Sequence, residues 1–316
     1  MSSDLLVHPP VAINQPLPHP LDFRVGIIGA GNVGTTLAMA LAERSLLAWM
    51  VVRSAARRKE LRFVMPDAVA LYDSTANMYS LPDCIIVAVD DAEIGNVATE
   101  LAQRFSEELE GVIIVHTSGA LGREVLYPAA AFGARCIAAH PFETFPYPNT
   151  RALAGIAWGI ETASPDDEQF ASWFVRLLGG TPVPLGAEAR VNKSLYHIAA
   201  VMASNYMYSL IAAAAQVTET VNLPAHTLLP PIIRTTVDNA LLHLAHGSAP
   251  PLSGPVARGN VETVAAHIAA LAATPALQRQ YCYQGLATTE FALAQGIITR
   301  DQADGLQVEL KKGIAD

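Results

Sequence analysis

The stretch Phe23-Arg-Val-Gly-Ile-Ile-Gly-Ala-Gly-Asn-Val-Gly34 sets a glycine-rich turn between a short apolar strand and the start of a helix. The spacing G-x-G-x-x-G gives each glycine a task. Gly29 permits the tight turn, Gly31 lets backbone approach a pyrophosphate, and Gly34 lets the helix pack close to the strand. A helix beginning near Asn32 aims unpaired N–H groups and its positive dipole end at the phosphates. Glycine-rich loops also occur in plain turns, so context matters. Residues 23–28 read as a buried strand, 33–43 carry helical spacing, and a second apolar strand, Leu46 to Val52, follows at the distance a βαβ unit requires. The loop Gly29, Ala30, Gly31, Asn32, Val33 and Gly34 therefore reads as a dinucleotide site.

The end of the second strand bears on which dinucleotide. An acid there would hydrogen-bond an adenosine ribose 2′-OH. The sequence instead runs Val52-Arg53-Ser54, followed by Arg57, Arg58 and Lys59. At about 4 Å and an effective dielectric of about 20, one charge pair is worth roughly 4 kcal/mol before desolvation, so a basic cluster and an acid select opposite cofactors. Arg53, Ser54 and Arg57 favour NADP(H), with NAD(H) the second choice; the bland alternative is an ordinary solvated helix start.

Length and charge bound the rest. A chain of 316 residues, 51% hydrophobic and 16% charged, has room for about two domains with sizeable cores. Net charge −9 argues against nucleic acid or an anionic membrane as the main partner. Cys84, Cys136 and Cys282 are widely spaced in apolar surroundings, as buried free thiols of a reducing cytosol would be, and no metal-ligand spacing is present. Residues 1–20 are proline-rich without periodicity and read as a disordered tail. Leu195 to Val217 is apolar but carries His197, Ser204, Asn205 and Ser209, so a buried helix is expected there in place of a membrane span, and the protein is expected in the cytoplasm.

Strand-like runs continue at 69–72, 84–89, 112–116, 135–139, 157–161 and 181–185, with helical or loop segments between most of them, which predicts an α/β, doubly wound parallel sheet. From about Glu188 onward the pattern is helical only. Asn260 is a predicted helix cap, Thr299 with Gln302 a capping box, and Pro230-Pro231 a break or kink between 224 and 246. The expected division is a tail at 1–20, a cofactor domain at 21–187 and a helical substrate and dimerisation domain at 188–316. The helical part is apolar on more than one face, so a second copy of the chain, giving a homodimer, is one expected cover, and the sheet domain is the other.

Ligands of such sheets bind beyond the carboxyl ends of the strands. That points to Val89 and Asp90, to Ser118, and to His140. Asp90 and Asp91 open a helix, with capping as their default role. His140 precedes a proline at a strand end and suits proton transfer near neutral pH; a hydrogen-bonded turn histidine is the alternative. Glu143 either orients it or faces water. Structure is the expected role of His116. Lys193 and His197 are spaced i, i+4, with Ser204 seven beyond, which predicts one polar stripe on an apolar helix, flanked by Asn205 and Tyr208. Arg258, in a turn-rich segment between helices, is a carboxylate clamp or a helix-entry residue.

The order VGIIGAGNVG (25–34), CIIVAVDD (84–91), HTSGAL (116–121), HPFETFP (140–146), KSLYHIAAVMASNY (193–206) and SGPVARGN (253–260) resembles the 6-phosphogluconate dehydrogenase-like superfamily. It is most similar to a branch of Rossmann-like oxidoreductases with a helical C-terminal domain of unknown function, related to pyrroline-5-carboxylate reductase and prephenate dehydrogenase. The resemblance implies a Rossmann domain with an all-α C-terminal domain. It also implies substrate-acting roles for Ser118 and His140 and a catalytic role for Lys193 like that in hydroxyacid dehydrogenases. Those enzymes carry asparagine four residues after the lysine, where this chain has His197, so a simple hydroxyacid does not follow. The combined expectation is an NADP(H)-dependent oxidoreductase. It would move a hydride to or from a carbon bearing oxygen or nitrogen in a small, carboxylate-bearing metabolite. Catalysis would rest on Lys193, His140, His197 and Ser118, and substrate contacts on Asn205 and Arg258. The alternative is a non-catalytic NADP(H)-binding sensor. A polar stripe facing the nicotinamide would favour the enzyme.

Overall fold

The computed structural model describes residues 23–247 and 251–314. The proline-rich 1–20 segment lies outside them. The chain divides into two compact units that part between Tyr206 and Met207.

The first unit is built on an eight-stranded sheet of order β3-β2-β1-β4-β5-β6-β7-β8. Its strands are β1 (Val25–Ile28), β2 (Leu47–Val51), β3 (Ala70–Tyr72), β4 (Cys84–Val87), β5 (Ile113–His116), β6 (Arg135–Pro141), β7 (Ala157–Glu161) and β8 (Thr181–Pro184). The runs Val-Gly-Ile-Ile, Cys-Ile-Ile-Val and Ile-Ile-Val-His are buried along their whole length, as central strands covered on both faces must be. Helices α1 (Asn32–Glu43), α2 (Ala55–Leu61), α3 (Asp91–Phe105), α4 (Tyr127–Ala130) and α5 (Pro165–Leu177) supply the covers. Strand alternation sorts the cores. Ile27 packs with Leu37 and Leu41 of α1 and Phe170 and Phe174 of α5, whereas Ile28 packs with Ile94 and Leu101 of α3 on the other face. The sheet is thus doubly wound, and its strand order reverses between β1 and β4, where a crevice opens.

β1 to β6 are parallel, as the sequence predicts, but β7 runs antiparallel to β6, and β8 is parallel to β7. The β6–β7 connection holds only a short 3₁₀ turn, Thr150–Leu153. Without a crossover helix the chain returns beside β6 in the opposite sense. β8 closes the sheet with Thr-Pro-Val-Pro, largely exposed, where two prolines remove donors from an open edge.

After β8 come α6 (Ala187–Val191) and α7 (Lys193–Val201), which cluster with the sheet unit, and a π-helical turn, Met202–Tyr206. The helical unit then comprises α8 (Met207–Thr220), α9 (Ala225–His246), α10 (Val261–Ala270), α11 (Pro275–Ala294) and α12 (Arg300–Lys312). Asn260 caps α10 through the Thr263 amide, and Thr299 and Gln302 form the predicted capping box of α12. Pro230-Pro231 does not break α9, which runs through both. A proline's fixed φ is helix-compatible, so its cost lies in missing N–H donors and ring crowding.

Val264, Ile268, Cys282, Leu306 and Leu310 make the core of this unit. No residue of α8 or α9 is buried, and Val217, Leu228, Ile232, Leu241, Leu242 and Leu244 are exposed. The expectation of a buried helix at 195–217 therefore does not hold within one chain. The helical run Lys193–Thr220 is long and apolar enough to cross a membrane by length and composition, although it starts at a lysine buried against the sheet unit.

Gly34 tests the packing argument. A Cβ there would lie 2.5 Å from the Gly29 carbonyl oxygen, a backbone atom that cannot swing aside. Gly34→Ala is expected to cost about 1–3 kcal/mol of stability, measured as a lower urea midpoint at unchanged slope. A midpoint equal to that of the parent would contradict it.

Candidate active site

At the β1/β4 switch point the glycine loop, the ends of β2 and β4 and the loop after β5 enclose a cleft of about 820 Å³. That is within the usual range for cofactor pockets. Gly29 sits at φ +111°, a conformation side chains rarely adopt. Gly31 differs from its neighbours: a Cβ there would meet nothing within 4 Å. Protein packing therefore does not require glycine at this position, whereas close passage of a ligand over the loop does. Gly31 is also the N-cap of α1 and has no side chain to bond the first N–H groups, which stay available to an anion. These features fit a dinucleotide pyrophosphate.

Arg53, Ser54, Arg57, Val89 and Asp90 line the same cleft. Ser54 caps α2 by accepting from the Arg57 amide. The Arg57 guanidinium is braced on the Ala30 carbonyl at 3.3 Å, the Thr35 hydroxyl at 3.1 Å and Glu60 at 2.7 Å. Arg53 pairs with Glu93 at 3.3 Å, its side chain 73% exposed, so it is free to re-aim at low cost. Asp73, Glu93 and Glu100 also line the wall, which confines the basic character to the end of β2. Asp90 is the N-cap residue of α3 but makes no side-chain cap bond.

The other end of the cleft is formed by Thr117, Ser118, Gly119, His140 and His197. His116, fully buried on β5, accepts from the Ser118 amide at Nδ1 (3.2 Å) and so donates from Nε2 to the Gly122 carbonyl (3.1 Å). Ser118 accepts from the Ala120 and Leu121 amides. Together they fix the turn that presents Gly119. A Cβ on Gly119 would lie 2.8 Å from Nε2 of His140 and 2.9 Å from Nδ1 of His197, so both imidazoles face one small space above this glycine. Burial above all, then the neighbouring His197 and Lys193, pushes the His140 pKa down to about 4, and burial does the same for His116. Both rings are neutral at pH 7.

His140 is not oriented by Glu143, whose carboxylate accepts from Thr144. Its Nδ1 meets the Tyr196 hydroxyl at 2.9 Å. Lys193 does not line the cleft. Its ammonium is buried with Glu161 of β7, 3.3 Å away, and lies 5.7 Å from the centre of the Tyr196 ring. Helical spacing places Lys193 and His197 on one side of α7, but the long lysine stem carries its charge to the buried carboxylate of Glu161. The expected stripe ends at the π turn, which shifts the helical register. Ser204 bonds the Ala200 carbonyl and Asn205, away from the cleft residues. Arg258 belongs to the helical unit, where its carbonyl accepts from Gln302 at 3.5 Å. Sequence reasoning missed Tyr196, Gly119 and Glu161. Gly119 lies in the HTSGAL run at 116–121 and Tyr196 lies i+3 from Lys193 on the same helix face, whereas Glu161 left no signal.

A family model described as a Rossmann-like domain matches residues 14–141, and one described as a domain of unknown function, DUF2520, matches residues 156–289. Comparison with curated proteins gives no match. Among solved structures, a Bacteroides fragilis protein provisionally described as an NADP oxidoreductase superposes with a TM-score of 0.71 at 24% identity, covering 86% of this chain and 100% of that one. A reductive aminase from Aspergillus terreus, solved with NADPH and ethyl levulinate, gives 0.56 at 17% identity over 90% and 99% of the two chains. A pyrroline-5-carboxylate reductase from Coxiella burnetii gives 0.53 at 16% identity over 92% and 97%. At these identities the likeness establishes the fold: a Rossmann-like domain followed by a helical region.

Two outcomes follow for the site. Lys193→Ala leaves Glu161 buried and unpaired and should lower stability by about 3–5 kcal/mol, while Lys193→Met combined with Glu161→Leu should recover most of it; equal losses in both proteins would contradict the ion-pair account. His140 and His116 bind protons less readily folded, near pH 4, than unfolded, near 6.5. The unfolded state therefore holds more protons between those values, and stability should rise with pH across that window and be lost as pH falls through it. Denaturation midpoints that stay flat from about pH 6.5 to about pH 4 would overturn this.

Proposed function

We propose that this protein is an NADP(H)-dependent oxidoreductase that moves a hydride to or from a carbon bearing oxygen or nitrogen in a small, carboxylate-bearing metabolite. The observation that carries the reading is one continuous cleft that begins at the open space over Gly31 and ends at the two imidazoles over Gly119. Backbone N–H groups at Gly31, Asn32 and Val33 would hold the pyrophosphate, and Arg53, Ser54 and Arg57 the 2′-phosphate. Val89, Asp90 and Ser118 would flank the nicotinamide. When bound, the cofactor supplies or accepts the hydride.

The protein's own part is to hold the reacting polar atom and offer it a hydrogen bond. His140, neutral at pH 7, offers it a hydrogen bond, and His197 is the second nitrogen facing the same space. Lys193 acts here as a positioning residue, and Arg258 remains the proposed carboxylate contact. His197 facing the cleft favours chemistry over a sensor role. Relatives of similar fold named as NADP oxidoreductases and reductive aminases support the reaction class. The exposed apolar faces of α8 and α9 support a homodimer through the helical unit, and free buried cysteines accord with a cytoplasmic location.

Titration should give at least tenfold tighter binding of NADPH than NADH, about 1.4 kcal/mol, with the order reversed in Arg53→Asp. Equal affinities would remove the cofactor assignment. Light scattering at micromolar concentration should give twice the chain mass; a monomer would refute the assembly.

A further inference from the structure

Tyr196 sits where the sheet makes room for it. Gly159 lies opposite His140 in the antiparallel β6–β7 register, and a Cβ on Gly159 would collide with the Tyr196 hydroxyl. Two residues further along β7, on the same face, Glu161 holds Lys193, and Lys193 is three residues before Tyr196 on α7. One strand face and one helix face therefore fix the phenol twice, by an empty seat and by a buried ion pair. The ring also packs on Phe142, with centroids 5.3 Å apart.

The hydroxyl has a single proton. The phenol oxygen is seated against Gly159, and burial keeps the group protonated by raising its pKa to about 12. With its proton kept, the phenol can donate that O–H to Nδ1 of His140, 2.9 Å away. An imidazole whose Nδ1 accepts carries its hydrogen on Nε2. Nε2 is the atom that faces the space over Gly119, where Nδ1 of His197 is buried without a hydrogen-bond partner. No more than the sum of their distances to that space separates the two nitrogens, a span one ligand oxygen or nitrogen atom can bridge.

We propose that Tyr196 is a positioning residue that locks His140 as its Nε2–H tautomer, making His140 a fixed, neutral hydrogen-bond donor to the reacting atom of the substrate. The site then takes a group with a lone pair turned to His140, such as a carbonyl, hydroxyl or neutral imine, and disfavours a reacting atom without one. The functional meaning rests on the proposed oxidoreductase reading, but the tautomer does not. The charged and titratable groups around His140 are His197, Lys193 and Tyr196 from α7, His116 from β5 and Asp91 from α3, with Glu161 of β7 paired to Lys193.

The test is two-bond ¹H–¹⁵N correlation on full-length protein labelled at histidine, free and with NADP⁺. From about pH 5 to about pH 8, His140 should give one protonated nitrogen, Nε2, and one unprotonated nitrogen, Nδ1. Tyr196→Phe keeps the ring and removes only the hydroxyl, and should move both nitrogens toward the average of the two tautomers while NADP⁺ affinity stays within twofold. Gly159→Ala displaces the hydroxyl from its seat and should do the same. An Nδ1–H tautomer in the parent protein, or an unchanged His140 spectrum in Tyr196→Phe, overturns the proposal; if that variant does not fold, the parent spectrum decides alone. Loss of NADP⁺ binding in the parent would instead count against the cofactor reading.

Discussion

Backbone touching backbone at the first turn is the constraint on which the rest of the molecule depends. Gly34 of α1 lies against the Gly29 carbonyl with no space for a methyl group, and Gly29 itself turns through φ +111° beside the Ala88 carbonyl at the end of β4. This close approach sets α1 on β1 and aims its N-terminus into the crevice between β1 and β4. Every other part of the cleft is placed relative to that turn. Gly31 is the exception that gives the turn its purpose, since the space over it is left open.

A second constraint shapes the far end of the cleft. Glu161 and Lys193 are both buried, and such a pair contributes little net stability compared with an apolar one of the same shape, while breaking it is costly. Its contribution is positional. It draws α7 onto β7 so that Tyr196 meets His140 and His197 faces Gly119. Burial then keeps His140 neutral, which suits a fixed hydrogen-bond donor better than an acid. The antiparallel turn from β6 into β7 is part of the same device, because it sets Gly159 opposite His140.

The legible parts of this molecule are those governed by local spacing. β1, the glycine turn, α1 and β2 follow from apolar periodicity within thirty residues, and the caps of α10 and α12 follow from residue type at fixed offsets. His140 was visible because a proline at a strand end holds the backbone extended. Strand sense was less visible, since the reversal at β7 depends on a connection that lacks a helix. Lys193 shows a further limit. Its i, i+4 spacing with His197 is a true statement about helix faces, but the partner that captures its charge lies across the sheet, and nothing in the sequence near Glu161 marks that acid as buried. The π turn at Met202–Tyr206, which ends the polar stripe, has no composition of its own to announce it.

One cleft runs from the glycine turn to the paired imidazoles, and the proposed dinucleotide lies along its length. A crystal structure of the protein with NADP⁺ tests it most directly. The pyrophosphate is expected over Gly31 at the start of α1, the 2′-phosphate beside Arg53 and Arg57, and the nicotinamide ring next to Gly119 within reach of His140 and His197. A dinucleotide bound elsewhere, or bound here with its nicotinamide turned away from Gly119, would contradict it.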